Sequence, residues 1–258
     1  MRVFITGASS GIGAAMSRAY AARGATLGLV ARNPQKLKDF AATLPNAEKH
    51  ALFAADVTDR DAILQAAKGF EEMGATDLVI ACAGISIGVK TEFYEDLEVL
   101  ERIYRTNVFA MASTFHGFIA PMRARGHGHF VGIGSVAGIR GLPGSEAYCS
   151  SKSAVITYLE SLRNDVRPYG IKVTTLSPGF VKTPLTAKNP YKMPFLLEPD
   201  EFARIAVSAI DAGVSYKTIP WQMGVLAKLM RVLPNAVFDA CVAHRKQKPR
   251  DKELHPNG

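Results

Sequence analysis

Tyr148 and Lys152 stand at i and i+4 in the segment Tyr148-Cys149-Ser150-Ser151-Lys152. On a helix this spacing puts a phenol and an ammonium on one face, one turn apart. A phenol can give or take a proton, and a neighbouring cation favours its anionic form. Ser135 follows an apolar run at 129–133, where its hydroxyl can face the same crevice, and Asn107 falls inside an earlier helical segment. Each residue also has a plain reading: a loop serine, a satisfied core amide, a solvated helix lysine. The four in register are harder to dismiss than any one alone.

A second chemical signal lies at the start of the chain, in Thr6-Gly7-Ala8-Ser9-Ser10-Gly11-Ile12-Gly13. Glycines at this spacing after a strand allow a tight turn, close approach of backbone to a pyrophosphate, and tight packing of the following helix. The helix start then offers unpaired N–H groups and partial positive charge to an anion. A dinucleotide is the expected ligand. Which dinucleotide depends on the end of the second strand, where a carboxylate would read a free ribose 2′-hydroxyl. The chain has Ala31-Arg32 there. A guanidinium can hold a 2′-phosphate bidentately, so NADP(H) is expected over NAD(H), against the plainer reading of a surface arginine. Asp56-Val57 follows the third strand, where the carboxylate could accept from an adenine amino group; Asp56 reads equally well as a cap for the helix after Thr58.

These groups need a frame to hold them. Apolar runs at 3–6, 25–31, 51–55, 77–81, 129–133, 172–176 and, more weakly, 216–219 alternate with helix-length segments such as 12–23 and 59–70. The runs are continuous rather than alternating, as expected where both faces of a parallel sheet are covered. Strand–helix repetition with right-handed crossovers predicts an α/β fold of Rossmann type, a doubly wound seven-stranded parallel sheet with helices on both faces. Residues 1–220 form the expected dinucleotide-binding domain, including a substrate loop at 182–200 that contains four prolines. Residues 221–258 form a helical extension with a basic tail.

Composition fits this frame. The 258 residues are 48% hydrophobic and 21% charged, ordinary globular usage that excludes disorder. The net charge is 31 − 23 = +8, of which residues 217–258 carry 8 − 3 = +5. That basic stretch lacks the interleaved aromatics or paired Cys and His of a nucleic-acid footprint, so no nucleic-acid partner is expected. Cys82, Cys149 and Cys241 are odd in number and far apart, which suits a reducing compartment rather than a disulfide framework. With no leader pattern at its start, the chain reads as cytoplasmic, with attachment to the inner face of a membrane as a variant. His127 and His129 lack ligands at matching spacing, so no metal site is expected.

Taken together, the glycine turn, Asn107, Ser135, Tyr148-x-x-x-Lys152 and Pro178-Gly179 resemble the short-chain dehydrogenase/reductase family, in family order and spacing, over residues 1 to about 220. The resemblance implies that Tyr148 is the general acid for carbonyl reduction and the base in reverse. Lys152 and an oxidised nicotinamide would lower its pKa from about 10, and Lys152 would also hold the nicotinamide ribose. Ser135 would bond the substrate oxygen, and Asn107 would anchor a water that links Lys152 to solvent. Ala83-Gly84, Pro178-Gly179 and Thr183 would lie along the cofactor. The family commonly has Asn-Ala-Gly where this chain has Cys82-Ala83-Gly84, a change expected to cost some stability without loss of activity. A homo-oligomer is implied as well.

The substrate loop is rich in apolar side chains, among them Leu185, Tyr191, Phe195 and Leu196. That argues for a hydrophobic carbonyl or secondary alcohol as partner, unless the loop packs on its own domain or on another subunit. In the extension, Pro234 separates two short helices; Val225, Leu226, Leu229 and Leu233 make an apolar stripe beside Lys228 and Arg231. These helices could pack on the domain as lid or interface, lie in a membrane surface through 221–250, or span a bilayer, although charges and Pro234 interrupt the run. The competing function class is an NADP(H)-binding sensor or scaffold without turnover.

Overall fold

The computed structural model describes residues 1–251. Within them the chain alternates β1 (Arg2–Thr6), α1 (Gly11–Ala22), β2 (Thr26–Ala31), α2 (Pro34–Ala42), β3 (Ala51–Ala54), α3 (Arg60–Glu72) and β4 (Leu78–Ala81). It continues with α4 (Asp96–Tyr104), α5 (Ala110–Arg125), β5 (Gly128–Ile133), α6 (Glu146–Val166), β6 (Ile171–Pro178), α7 (Pro199–Asp211) and β7 (Tyr216–Ile219). Two short helices close it, α8 (Trp221–Val232) and α9 (Asn235–Val242). The strands form a seven-stranded sheet in the order β3-β2-β1-β4-β5-β6-β7, all neighbours parallel.

The continuous apolar runs are explained by the two layers. Val3 and Ile5 of β1 pack with α1, α2 and α7 on one face. Phe4, between them, points to the other face and packs with α3, α5 and α6. Successive strand residues point to opposite sides, so a strand covered twice must be apolar at every position. Edge strand β3 departs from this pattern: Leu52 is 41% exposed, and half-buried and exposed positions alternate along it.

The order places β1 and β4 side by side although α1 to α3 separate them in sequence. After β1 the chain winds to one side, and after β4 to the other. At such a reversal the loops beyond the strand ends part and leave a crevice. The Gly7–Gly13 turn and the Cys82–Gly84 segment border that crevice.

Helices α8 and α9 dock on the domain by a face other than the stripe their sequence suggests. Met223 and Ala227 are the buried positions of α8, whereas Val225 (48%), Leu226 (39%) and Leu229 (57%) are open. The reason is what lies beneath: small residues let α8 come close, with Met223 against Gly179 and Gly224 against Thr218. Arg140 holds the far end, donating to the carbonyls of Met230 and Leu233 and to Asn235 Oδ1, and stacking over Phe238 at 3.9 Å. It thereby satisfies carbonyls that a helix end leaves unpaired. Among the described residues no helix is long and apolar enough to cross a membrane. Of the extension, residues 252–258 lie outside the described residues.

Candidate active site

A cleft of about 560 Å³ opens at the carboxyl ends of the central strands. Its near wall is the glycine turn. Gly7 has φ +67°, and a Cβ there would fall 2.9 Å from Ala83 Cα; a Cβ on Gly13 would fall 2.2 Å from the Gly7 carbonyl oxygen. Both positions therefore exclude any larger residue. Ser10 at the N-cap of α1 makes no side-chain cap, and the first turn has no acidic residue. An anion approaching those N–H groups meets no competing carboxylate. This cradle suits a dinucleotide.

Thr6 and the Cys82 segment form the next part. Thr6 Oγ1 accepts from the N–H groups of Cys82 and Ala83 at 3.2 and 3.4 Å. A buried hydroxyl on β1 thus steadies the start of the segment that lacks the family asparagine, a partner that sequence reading missed. Burial pushes the Cys82 thiol up to about 12 despite the Lys152 charge, so it stays protonated and unreactive.

Ser135 lies two residues past β5. Its Oγ accepts from Ala137 N–H at 3.1 Å and stands near enough to the Tyr148 phenol to ease its ionisation. Tyr148 and Lys152 are on α6, one turn apart as the spacing requires. Lys152 is 5% exposed, and its Nζ donates to the Ile133 carbonyl at 2.7 Å. Asn107 is fully buried in a π-helical stretch, Arg105–Phe109, between α4 and α5. Such bulges redirect a side chain within a helix and recur at functional sites. The Asn107 amide accepts from Ile85 N–H at 2.9 Å and donates to the Ile85 carbonyl and Ser151 Oγ at 3.0 and 3.1 Å. Its side chain is thus spent on fixing the loop after Gly84 against α6.

Burial dominates the electrostatics of this pair. Tyr148 is pushed up, to about 12, by burial first; nearby Ser135 pulls it down, and Cys149 and Tyr191 push it up. Lys152 is itself pushed down to about 8 by burial. In this geometry Lys152 bonds Ile133, and burial outweighs any acidification of the phenol. A protonated Tyr148 at neutral pH is nonetheless the form that can donate to a carbonyl oxygen.

Of the cofactor residues expected from sequence, Gly7, Ser10, Gly11, Ile12, Gly13, Arg32, Ala83, Gly84, Pro178, Gly179 and Thr183 line this one cleft, with Ser135, Tyr148 and Lys152. Ser9 belongs to the same turn, and Asn107 stands behind the lining. Asp56 sits 4.0 Å from Arg32 and accepts from Thr58 N–H and Oγ1 at 2.8 Å. It closes a turn; the cap of α3 is Asp59, whose side chain accepts from Ala62 N–H. Val57 is buried among α3 and the sheet. His129 bonds Thr174 Oγ1 at 2.8 Å inside the sheet layer, a structural place.

Sheet order, glycine cradle and the Ser–Tyr–Lys cluster define a dinucleotide-dependent oxidoreductase. A family model described as short chain dehydrogenase matches residues 1–193. The chain is 39% identical to an uncharacterized oxidoreductase of Myxococcus xanthus over 92% of its own length and 94% of that protein's. It is 34% identical to an uncharacterized oxidoreductase of Mycobacterium tuberculosis over 90% and 94%. Among solved structures, a short-chain dehydrogenase from Streptomyces avermitilis superposes with a TM-score of 0.78 at 26% identity, covering 94% of both chains. The chain belongs to the short-chain dehydrogenase family and is an NAD(P)-dependent oxidoreductase.

Proposed function

We propose that this protein is an NADPH-dependent reductase of a hydrophobic carbonyl, working in reverse on the secondary alcohol. The observation that carries this reading is that Ser135, Tyr148 and Lys152 line the same cleft as the glycine turn. Bound NADPH supplies a hydride for the carbonyl carbon. Ser135 and Tyr148 present two hydroxyls to one substrate oxygen, and Tyr148 gives its proton to that oxygen as the C–O bond takes up charge. Lys152 then offers the nearest proton to restore the phenol, with Asn107 on the path to solvent. Since the Asn107 side chain is committed to Ile85 and Ser151, a relay water there would be held by backbone.

Arg32 supports the choice of NADPH: it lines the cleft beyond β2 and is largely exposed, so it is available to a 2′-phosphate. The long contact to Asp56 holds it loosely. In this reading Asp56 and Val57 border the adenine, residues 1–220 carry cofactor and chemistry, and the described part of the extension, 221–251, completes the substrate side. A solved 3-ketoacyl-(acyl-carrier-protein) reductase from Brucella melitensis, complexed with NADH, shares the fold at TM-score 0.76 and 24% identity, over 84% of this chain and 96% of that one. A homo-oligomer is part of the proposal by family resemblance.

The test is NADPH consumption with aliphatic and aromatic ketones, alongside Tyr148→Phe. Turnover that vanishes in the variant while NADPH still binds supports the reductase. NADPH binding without turnover on any carbonyl would favour the sensor reading instead.

A further inference from the structure

The C-terminal tail returns over the cleft as a strap. Gly88 N–H donates to the Pro249 carbonyl at 3.0 Å, Gly88 and Arg250 form a parallel bridge, and Gln247 lies against Gly144, just ahead of α6. Arg250 anchors it, bonding both carboxylate oxygens of Asp96 at 2.7 and 3.0 Å and Glu95 at 3.1 Å, and lying 3.5 Å over the Phe93 ring. Asp251 is paired with Arg102 at 2.6 Å. Farther up the strap, Arg245 stacks on the Tyr191 ring of the substrate loop at 4.5 Å. The strap therefore runs on the catalytic side of the cleft.

Lys248 is different from its neighbours. It is 8% exposed and lines the cleft. Its ammonium donates to Ser86 Oγ at 2.9 Å and to the Leu185 carbonyl at 3.2 Å. Both partners are neutral, one from the segment after β4 and one from the substrate loop. Among the described residues it has no carboxylate partner. A buried ammonium among neutral groups is costly and gains most from an anion. Burial lowers its pKa, to about 8, which still leaves it mostly protonated at neutral pH. An ammonium has three donors, and two are used.

We propose that Lys248 recognises a substrate carboxylate, so that the substrate is an oxo acid: a carbonyl held at Ser135 and Tyr148, an apolar body, and a carboxylate at Lys248. This rests on the reductase reading and narrows its substrate. The apolar body fits Ile85, Ile87 and Leu185, which share the lining. One remaining donor suits a monoanionic carboxylate better than a dianionic phosphate. The cofactor's own phosphates have the α1 N-terminus and Arg32.

Calorimetric titration of the NADPH-loaded protein with butanoate to octanoate, and with the matching primary amides, tests this without requiring turnover. The acids should bind about tenfold more tightly than the amides, as for a charge-assisted bond. Lys248→Arg should keep that ratio, and Lys248→Met should bring it near one. Equal affinity for acid and amide in the parent protein would overturn the inference. So would a Lys248→Met variant that loses both affinities with the ratio intact, since Lys248 would then only brace the strap. NADPH affinity that falls in Lys248→Met, with no acid preference in the parent, would assign the ammonium to the cofactor and overturn it too. Failure of the parent protein to bind NADPH would instead overturn the reductase reading, and this inference with it.

Discussion

Lys152, in the second turn of α6, donates its ammonium to the carbonyl of Ile133, the last residue of β5, at 2.7 Å. Ser135 follows that carbonyl by two residues, and Tyr148 precedes Lys152 by one helical turn. One hydrogen bond thus joins the two elements that carry the reacting hydroxyls. Gly138 brings them closer still, since a Cβ there would fall 2.7 Å from the Lys152 backbone carbon. Lys152→Met should therefore lower kcat by about 10²-fold or more, and Tyr148→Phe at least as much. NADPH affinity, read by fluorescence titration, should change far less in Tyr148→Phe than in Lys152→Met, because only the lysine is also expected to hold the ribose.

Arg32→Asp places a carboxylate where NADPH would bring its 2′-phosphate. The ratio of NADPH to NADH affinity should fall by about tenfold or more. Equal loss of both cofactors would count against the assignment of Arg32.

Gly13→Ala should abolish dinucleotide binding. The new methyl meets the Gly7 carbonyl at 2.2 Å, and backbone on both sides leaves no flexible neighbour to yield. A lower melting temperature together with loss of NADPH binding is the expected pair of results; intact binding would show that the turn relaxes.

Arg140→Ala removes the donor that closes α8 and joins it to α9. Those carbonyls lose a charged donor, a change of about 1.5–3 kcal/mol. Protease cleavage within 221–245 should quicken while the sheet domain stays intact, as limited proteolysis would reveal.

His129 gives a pH dependence with a defined sign. Burial first, then the Lys172 charge, push its pKa down to about 4, against a partial pull from Asp211; the unfolded value is about 6.5. Between those values the unfolded chain binds a proton that the folded chain refuses, so stability falls as pH drops from about 6.5 to 4. His129→Gln, which can keep a bond to Thr174, should flatten the melting temperature between pH 7 and 4.5. An unchanged slope would place the acid sensitivity elsewhere.

What the sequence determined by itself was local or periodic. The central strands β1, β2, β4 and β5 fall where apolar runs occur, because a strand covered on both faces favours apolar residues at successive positions. The glycine turn was legible because its constraints lie within a few residues, Gly7 against Gly13. The Tyr148–Lys152 pair was legible because helical periodicity alone puts them on one face. Tertiary structure decided the rest. The buried face of α8 depended on the small residues it met, Gly179 above all, and not on where its own largest apolar side chains fell. The rise of the Tyr148 pKa comes from enclosure by distant elements, which its place one turn from Lys152 does not reveal. Lys248 could not be read from its basic stretch: its partners Ser86 and Leu185 are 162 and 63 residues away. Only the folded path of the tail, pinned by Arg250 on Asp96, turns a lysine that reads as solvated into a buried cation in the cleft.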